Sequence, residues 1–294
     1  MKRLLYIFSF IVVGLALSSC SSNDNETPEE EPSPLQAEVR MDVSYGSNPQ
    51  QAYDIYLPEG RTASKTKVIV LVHGGGWIEG DKADMSNFIS LIQQNHPNHA
   101  IVNMNYVLAT TSIPAFPNQF LDIDSVLNKL TAEAEDLQIL PEFGFIGTSA
   151  GAHLSLQYDY VYDTDNQVKF VADIVGPSDF TDPFYANDPN FQVALGFFVD
   201  EDAYPGVTDY AAEVSPALQV NASSSPTIMF YGDQDPLVPL TNGQTLKDNL
   251  TDQQITNSFT VYEGGHGDDW SQASIADLQL KLSGFINTHL PIAE

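Results

Sequence analysis

Six short runs rich in β-branched and aromatic residues punctuate the chain, at 68–73, 100–106, 143–147, 170–176, 227–232 and 259–263. Most are apolar at successive positions and not only at alternate ones. That pattern predicts strands buried on both faces of a parallel sheet. Between them lie stretches with helical character, at 83–94, 120–135, 150–158, 244–250 and 271–288. In the second, Leu121, Ile123, Val126, Leu127 and Leu130 mark one apolar side at near-helical spacing. Strand and helix alternating at this length predict an α/β fold with a mostly parallel sheet and helices on both faces. Residues 39–45 and 52–57 read as two further strands joined through Gly46-Ser47-Asn48-Pro49, and so short a connection requires an antiparallel pair. Residues 177–214 are less regular and are expected to form a small cap or lid at the sheet's active edge.

The first 36 residues follow a different pattern. Lys2-Arg3 precedes an apolar run from Leu4 to Leu17, and Leu17-Ser18-Ser19-Cys20 closes it. This is the order of a secretory signal, and the run falls short of the roughly 18 residues of a membrane-spanning helix. Cys20 is the only cysteine of the chain, so it has no intramolecular disulfide partner. The segment resembles a bacterial lipobox, which implies a signal peptide at 1–19, lipidation of Cys20, and export to a bacterial membrane held by that anchor alone. Residues 20–36 carry five acidic residues, three prolines and no basic residue, the composition of a disordered tether. Acidic residues soon after a lipidated cysteine also resemble surface-export signals of Bacteroidetes lipoproteins. Residues 37–294 then form one domain, because no second linker interrupts them.

Charge narrows the partners. The chain holds 11 basic and 39 acidic residues, a formal charge of −28. Removal of residues 1–19 takes Lys2 and Arg3 and no acid, moving that charge to −30. Nucleic acid is excluded as a partner, since phosphate binding needs clustered lysine and arginine.

The candidate chemistry begins at Gly147-Thr148-Ser149-Ala150-Gly151, directly after one apolar run and directly before a helix-like stretch. This is the G-x-S-x-G nucleophile elbow in the strand–turn–helix context it requires. His73-Gly74-Gly75-Gly76-Trp77 follows the run 68–72, where glycines let backbone N–H groups converge on one point. With the Ala150 N–H, Gly75 and Gly76 are the candidate oxyanion hole. A phosphate loop is excluded there, because no Lys-Ser/Thr follows and the G-x-G-x-x-G spacing is incomplete. Asp233 and Asp235 both stand just after the run 227–231, and position alone does not choose between them. The base must follow the acid in this chain order, leaving His266 in Gly264-Gly265-His266-Gly267 and His289 near the C-terminus. His289 ends the last helix-like stretch and reads as a surface residue. His153, four residues past Ser149, should face away from substrate and pack in the interior. H-E-x-x-H and cysteine pairs are absent, so no metal site is expected, and the chemistry calls for no cofactor.

In chain order, these motifs join Asn105-Tyr106, Phe116-Pro117-Asn118-Gln119 with Asp122, Gly176-Pro177-Ser178-Asp179, Ser215-Pro216 and Gly232-x-x-Asp235-x-x-Val238-Pro239. Together they resemble the carboxylesterase and hormone-sensitive-lipase-like branch of the α/β hydrolases, nearest to bacterial acetyl-xylan and feruloyl esterases, over residues 40–290. The resemblance implies a single α/β-hydrolase domain, with Ser149 as nucleophile, His266 as base and Asp235, not Asp233, as the acid. It also makes Asp122 a structural helix residue. The chain departs from the family at Asn105-Tyr106-Val107, where Asp-Tyr-Arg is common, and at Ala152, where glycine is common. The implied substrate is a short-chain or aromatic acyl ester, on a small molecule or an oligosaccharide fragment of plant polysaccharide. Two alternatives have different chemistry: an amide or peptide hydrolase of arylformamidase or prolyl-peptidase type, and a non-catalytic glycan-binding lipoprotein on the same fold.

Overall fold

The sheet is built by strands β1 (Glu38–Ser44), β2 (Ala52–Leu57), β3 (Val68–Val72), β4 (Ala100–Met104), β5 (Phe143–Thr148), β6 (Val168–Ile174), β7 (Thr227–Gly232) and β8 (Asn257–Tyr262). Its order is β1-β2-β4-β3-β5-β6-β7-β8. The computed structural model describes residues 34–293. Cys20, the signal segment and most of the tether lie outside the described residues. The two N-terminal strands pair antiparallel, as their short connection requires, and β2 also runs antiparallel to β4. Every other neighbouring pair from β4 to β8 is parallel.

Successive strand residues bury themselves in two different layers, which is why the apolar runs are nearly continuous. Val68, Val70 and Val72 enter one core cluster, whereas Ile69 and Leu71 enter the other. Met229 and Tyr231 divide from Ile228 and Phe230 in the same way. The helices are α1 (Ser86–Asn95), α2 (Asn118–Ala132), α3 (Ala134–Leu137), α4 (Ala150–Gln157), α5 (Pro183–Ala186), α6 (Pro189–Phe198), α7 (Tyr210–Glu213), α8 (Pro216–Gln219), α9 (Leu240–Asp252) and α10 (Gln272–His289). Phe120 of α2, Leu154 of α4 and Leu246 of α9 close the first layer. Ile89 and Ile92 of α1 join Leu278, Leu282 and Ile286 of α10 in the second. The result is the α/β-hydrolase fold, one domain with helices on both faces of an eight-stranded sheet. Among the described residues no helix is long and apolar enough to cross a membrane.

Chain direction across the sheet positions the site. From β3 the chain moves outward to β4 and then returns to β5 on the other side of β3. Loops leaving the carboxyl ends of β3 and β5 therefore face each other at a topological switch point, where open α/β sheets bind ligands. The irregular stretch after β6 breaks into the short helices α5 to α7, and a bridge from Phe116 to Val199 ties it down.

Candidate active site

Ser149 sits between β5 and α4 with φ 49° and ψ −120°, a left-handed turn that aims its side chain out of the sheet. Two glycines make the turn possible. A Cβ on Gly147 would lie 2.5 Å from Ala152 Cα, and one on Gly151 would lie 2.2 Å from the Val72 carbonyl oxygen. The Ser149 N–H donates to Ile174 O (2.8 Å), which pins the turn to the end of β6. Because α4 starts immediately after Ser149, its N-terminal partial positive charge lies beside the hydroxyl.

His266 Nε2 is 2.8 Å from Ser149 Oγ, and His266 Nδ1 is 2.7 Å from Asp235 Oδ2. The hydrogen-bond pattern fits a neutral imidazole with its proton on Nδ1, donating to Asp235 and accepting from the serine hydroxyl. Asp235 Oδ1 accepts from the N–H groups of Leu237 (2.8 Å) and Val238 (3.0 Å). Burial pushes the Asp235 carboxyl up, but the His266 hydrogen bond and these two N–H groups outweigh it and hold it below the usual carboxylate range. Asp233 is exposed and serves a different end: its Oδ1 accepts from Gly264 N–H (3.1 Å) at the start of the histidine loop. Of the two aspartates left open by position, Asp235 alone is hydrogen-bonded to His266.

The loop after β3 comes against the elbow, since a Cβ on Gly74 would lie 3.2 Å from Ser149 Cβ. Gly75 (φ 116°) and Gly76 (φ 53°) adopt the angles glycine permits, and a Cβ on Gly75 would lie 2.0 Å from Glu79 O. Neither of their N–H groups, nor that of Ala150, donates to an acceptor among the described residues. These three N–H groups are thus left without an acceptor, on the two turns that meet at Gly74 and Ser149. Tyr106 stacks on His73 at 4.3 Å and donates through its hydroxyl to His73 O (3.0 Å), holding the loop's first residue.

Trp77 ends this loop, also left-handed at φ 67°, and its carbonyl accepts from Gln119 Nε2 and Ala109 N–H. Its indole Nε1–H donates to His153 Nδ1 (3.2 Å), while His153 Nε2 donates to Val214 O (2.8 Å). His153 therefore links the glycine loop after β3, the helix α4 and the stretch after β6, and burial pushes its pKa down to about 4. It faces the interior, as its place on α4 predicts, but the sequence held no signal for this bridge. Asp122 accepts from Val107 N–H and Gln51 Nε2, both at 2.7 Å, in the structural place the resemblance implies. His289 lies against Phe285 at 4.2 Å, half-buried and at the far end of α10 from the site.

A cavity of about 750 Å³ opens at Ser149 and His266. Its walls come from α1 (Asn87, Phe88, Leu91, Gln94), from α10 (Ile275, Leu278, Gln279), and from Trp270, Ile174 and Val175. The stretch 177–214 contributes none of its lining. Its aromatic residues go elsewhere: Phe180 is buried between Trp77 and His153, while Phe184 and Phe197 face solvent. No group of three metal-ligating side chains occurs among the described residues.

A G-x-S-x-G elbow, a facing glycine loop and a hydrogen-bonded Ser–His–Asp file on this sheet define an esterase-type α/β hydrolase. The chain belongs to the BD-FAE family, an α/β-hydrolase esterase family whose model matches residues 53–250. It is 24% identical over 251 residues to an isoprenylcysteine alpha-carbonyl methylesterase of Arabidopsis thaliana, covering 77% of this chain and 56% of that protein. The chain spans about half the length of the curated relatives it matches. Among solved structures, a truncated carbohydrate esterase from gut microbiota superposes with a TM-score of 0.68 at 19% identity, over 85% of this chain and 98% of that one. A carboxylesterase from Lactobacillus plantarum gives a TM-score of 0.70 at 14% identity, over 88% of this chain and 100% of that one.

Proposed function

We propose that the protein is a serine carboxylesterase acting through an acyl-enzyme, with Ser149 as nucleophile, His266 as base and Asp235 as the acid that orients it. The observation that carries this reading is the unbroken file Ser149 Oγ–His266 Nε2 and His266 Nδ1–Asp235 Oδ2, at 2.8 and 2.7 Å. In the proposed cycle His266 Nε2 takes the hydroxyl proton as Ser149 Oγ bonds to the ester carbonyl carbon. The N–H groups of Gly75, Gly76 and Ala150 hold the resulting oxyanion. Collapse breaks the bond to the alcohol oxygen, which leaves with the proton from His266. Water then enters by the same route, giving its proton to His266 and its oxygen to the acyl carbon, and Ser149 recovers its hydrogen as the acid departs.

For substrate, we propose a neutral carbohydrate or small-molecule ester with a short or aromatic acyl group. A cavity mixing apolar Phe88, Leu91 and Ile275 with the amides Asn87, Gln94 and Gln279 suits such a molecule. A chain of net charge −28 repels polyanions over a Debye length of about 8 Å at physiological salt. Ser149→Ala should lower p-nitrophenyl acetate hydrolysis by at least about 1,000-fold while circular dichroism stays unchanged. A folded variant that keeps more than about a tenth of the activity would falsify the assignment.

We further propose export and lipid anchoring through Cys20, on the sequence of residues 2–20. Alkyne fatty-acid labelling of producing cells should mark the wild type and not Cys20→Ser. An unlabelled wild type excludes the anchor.

A further inference from the structure

Val175 is a β-branched residue in the left-handed region, at φ 53°, immediately after β6. Valine at such an angle is a true outlier, and it persists only where its surroundings impose it. Here they do so from both sides. On one side Ile174 O accepts the Ser149 N–H (2.8 Å), and the Val175 N–H donates to Phe230 O (2.9 Å), extending the β6–β7 pairing one residue further. On the other, Gly176 N–H donates to the fully buried Asp173 Oδ1 (2.8 Å), and the Tyr231 hydroxyl stands 2.6 Å from both Asp173 Oδ2 and Gly176 O. A Cβ on Gly176 would lie 2.5 Å from Asp173 Oδ1 and 2.7 Å from Ala152 Cβ, so the clamp leaves no room for another course.

The strained residue forms part of the cavity wall. Val175 lines the cavity beside Ser149, packed in the same apolar cluster as Trp270 and Leu278. We propose that Val175, held left-handed by the Asp173–Gly176–Tyr231 clamp, sets the size of the group that the cavity accepts beside the reacting carbonyl. Its side chain is fixed to the same carbonyl-bearing segment that holds the Ser149 N–H, so it cannot withdraw without disturbing the elbow. A wall tied to the nucleophile in this way excludes bulk more strictly than a side chain on a separate loop. Glycine would fit the backbone without strain, and hence the angle is not what valine itself supplies; its two methyl groups are.

This inference rests on the serine-esterase reading, and the experiment separates the two. Two ester series are compared by kcat/KM: p-nitrophenyl acetate, butyrate and octanoate for the acyl side, and methyl, phenyl and naphthyl acetates for the alcohol side. In one of the two series Val175→Gly should raise the bulky-to-small ratio about tenfold or more, and Val175→Ala should raise it by less. Val175→Gly relieves the left-handed angle but removes a buried side chain, so its melting temperature should fall, and circular dichroism establishes that the variants compared are folded. Tyr231→Phe, which removes the clamp's hydroxyl without touching the cavity, should move the ratio in the same direction. Ratios unchanged in both series for folded Val175→Gly and Val175→Ala overturn the proposal. If only Tyr231→Phe leaves them unchanged, the clamp is overturned and the wall stands. A fluorophosphonate reports Ser149 independently. A labelled wild type with unchanged ratios removes this inference alone, and an unlabelled wild type removes the serine reading and this inference with it.

Discussion

Asp233 and Asp235 are two residues apart on one loop, and their surroundings give them opposite tasks. The Asp235 side chain has no exposed surface and receives three hydrogen bonds, from His266, Leu237 and Val238. Those bonds favour its ionised form, which the proposed reaction requires of the acid that holds the imidazole tautomer and stabilises the imidazolium. Asp233 is exposed and props the Gly264 N–H at 3.1 Å, a bond that an amide oxygen accepts equally well. Asp235→Asn should therefore cost about 10,000-fold in kcat, because its NH2 group favours the wrong imidazole tautomer. Asp233→Asn should stay within about threefold, since an exposed neutral hydrogen bond contributes only about 0.5–1.5 kcal/mol. Equal losses in the two variants, or a larger loss in Asp233→Asn, read by steady-state kinetics, would overturn the roles given to them.

At the scale of elements, the sequence makes legible what is local and hides what is made by distant packing. Strands β3, β5 and β7 announce themselves by continuous apolar residues, and the elbow by five consecutive residues whose glycines the turn demands. The chain order Ser149, Asp235, His266 is likewise visible, although the choice of Asp235 came from resemblance and not from spacing. Strand β8 starts at Asn257, ahead of the apolar run, because backbone pairing of Asn257 and Ser258 with Thr227 and Ile228 does not depend on side-chain polarity. Helix α2 begins at Asn118 and α9 at Leu240, both earlier than their apolar stripes suggest, because the residues they bury in the first turn include the polar Gln119 and Asn242 and the side-chain-less Gly243. The cavity was least legible. Its walls α1 and α10 lie at opposite ends of the domain sequence, and their Phe88, Leu91, Ile275 and Leu278 read as ordinary core until the fold brings them together. Conversely, residues 177–214 read as a cap at the sheet's active edge, yet they line none of the cavity: Phe180 packs on Tyr185 at 5.6 Å and on Trp77 of the loop after β3. Composition names the residue types available for a wall, and only tertiary packing decides which side of the sheet they reach.

Across the whole molecule, buried acids and buried histidines pull stability in opposite directions with pH. Burial raises Asp159 and Asp173 from an ordinary 3.8 to about 7, against the partial offset of their hydrogen bonds. A carboxyl whose pKa rises on folding contributes stability that is present below about pH 4 and is lost as pH climbs through 7. Burial lowers His99 and His153 from 6.5 to about 4. A histidine whose pKa falls on folding contributes stability that is present above pH 6.5 and lost as pH falls through 4. Between pH 7 and 4 the two pairs oppose each other, so acidification costs the domain less than its buried histidines alone would impose. Asp159 offers the means of testing this, because it lies away from the Ser149–His266–Asp235 file, accepting from Ser225 Oγ (2.7 Å) and Ser225 N–H (2.9 Å). An asparagine there keeps an acceptor for the Ser225 N–H, and the serine hydroxyl can turn to accept from the amide. At about 1.4 kcal/mol per pKa unit, Asp159→Asn should lose on the order of 3 kcal/mol more than wild type on going from pH 7 to 4.5. Urea denaturation at the two pH values measures the difference, and parallel losses in variant and wild type would show that Asp159 is ionised in the folded domain across that range.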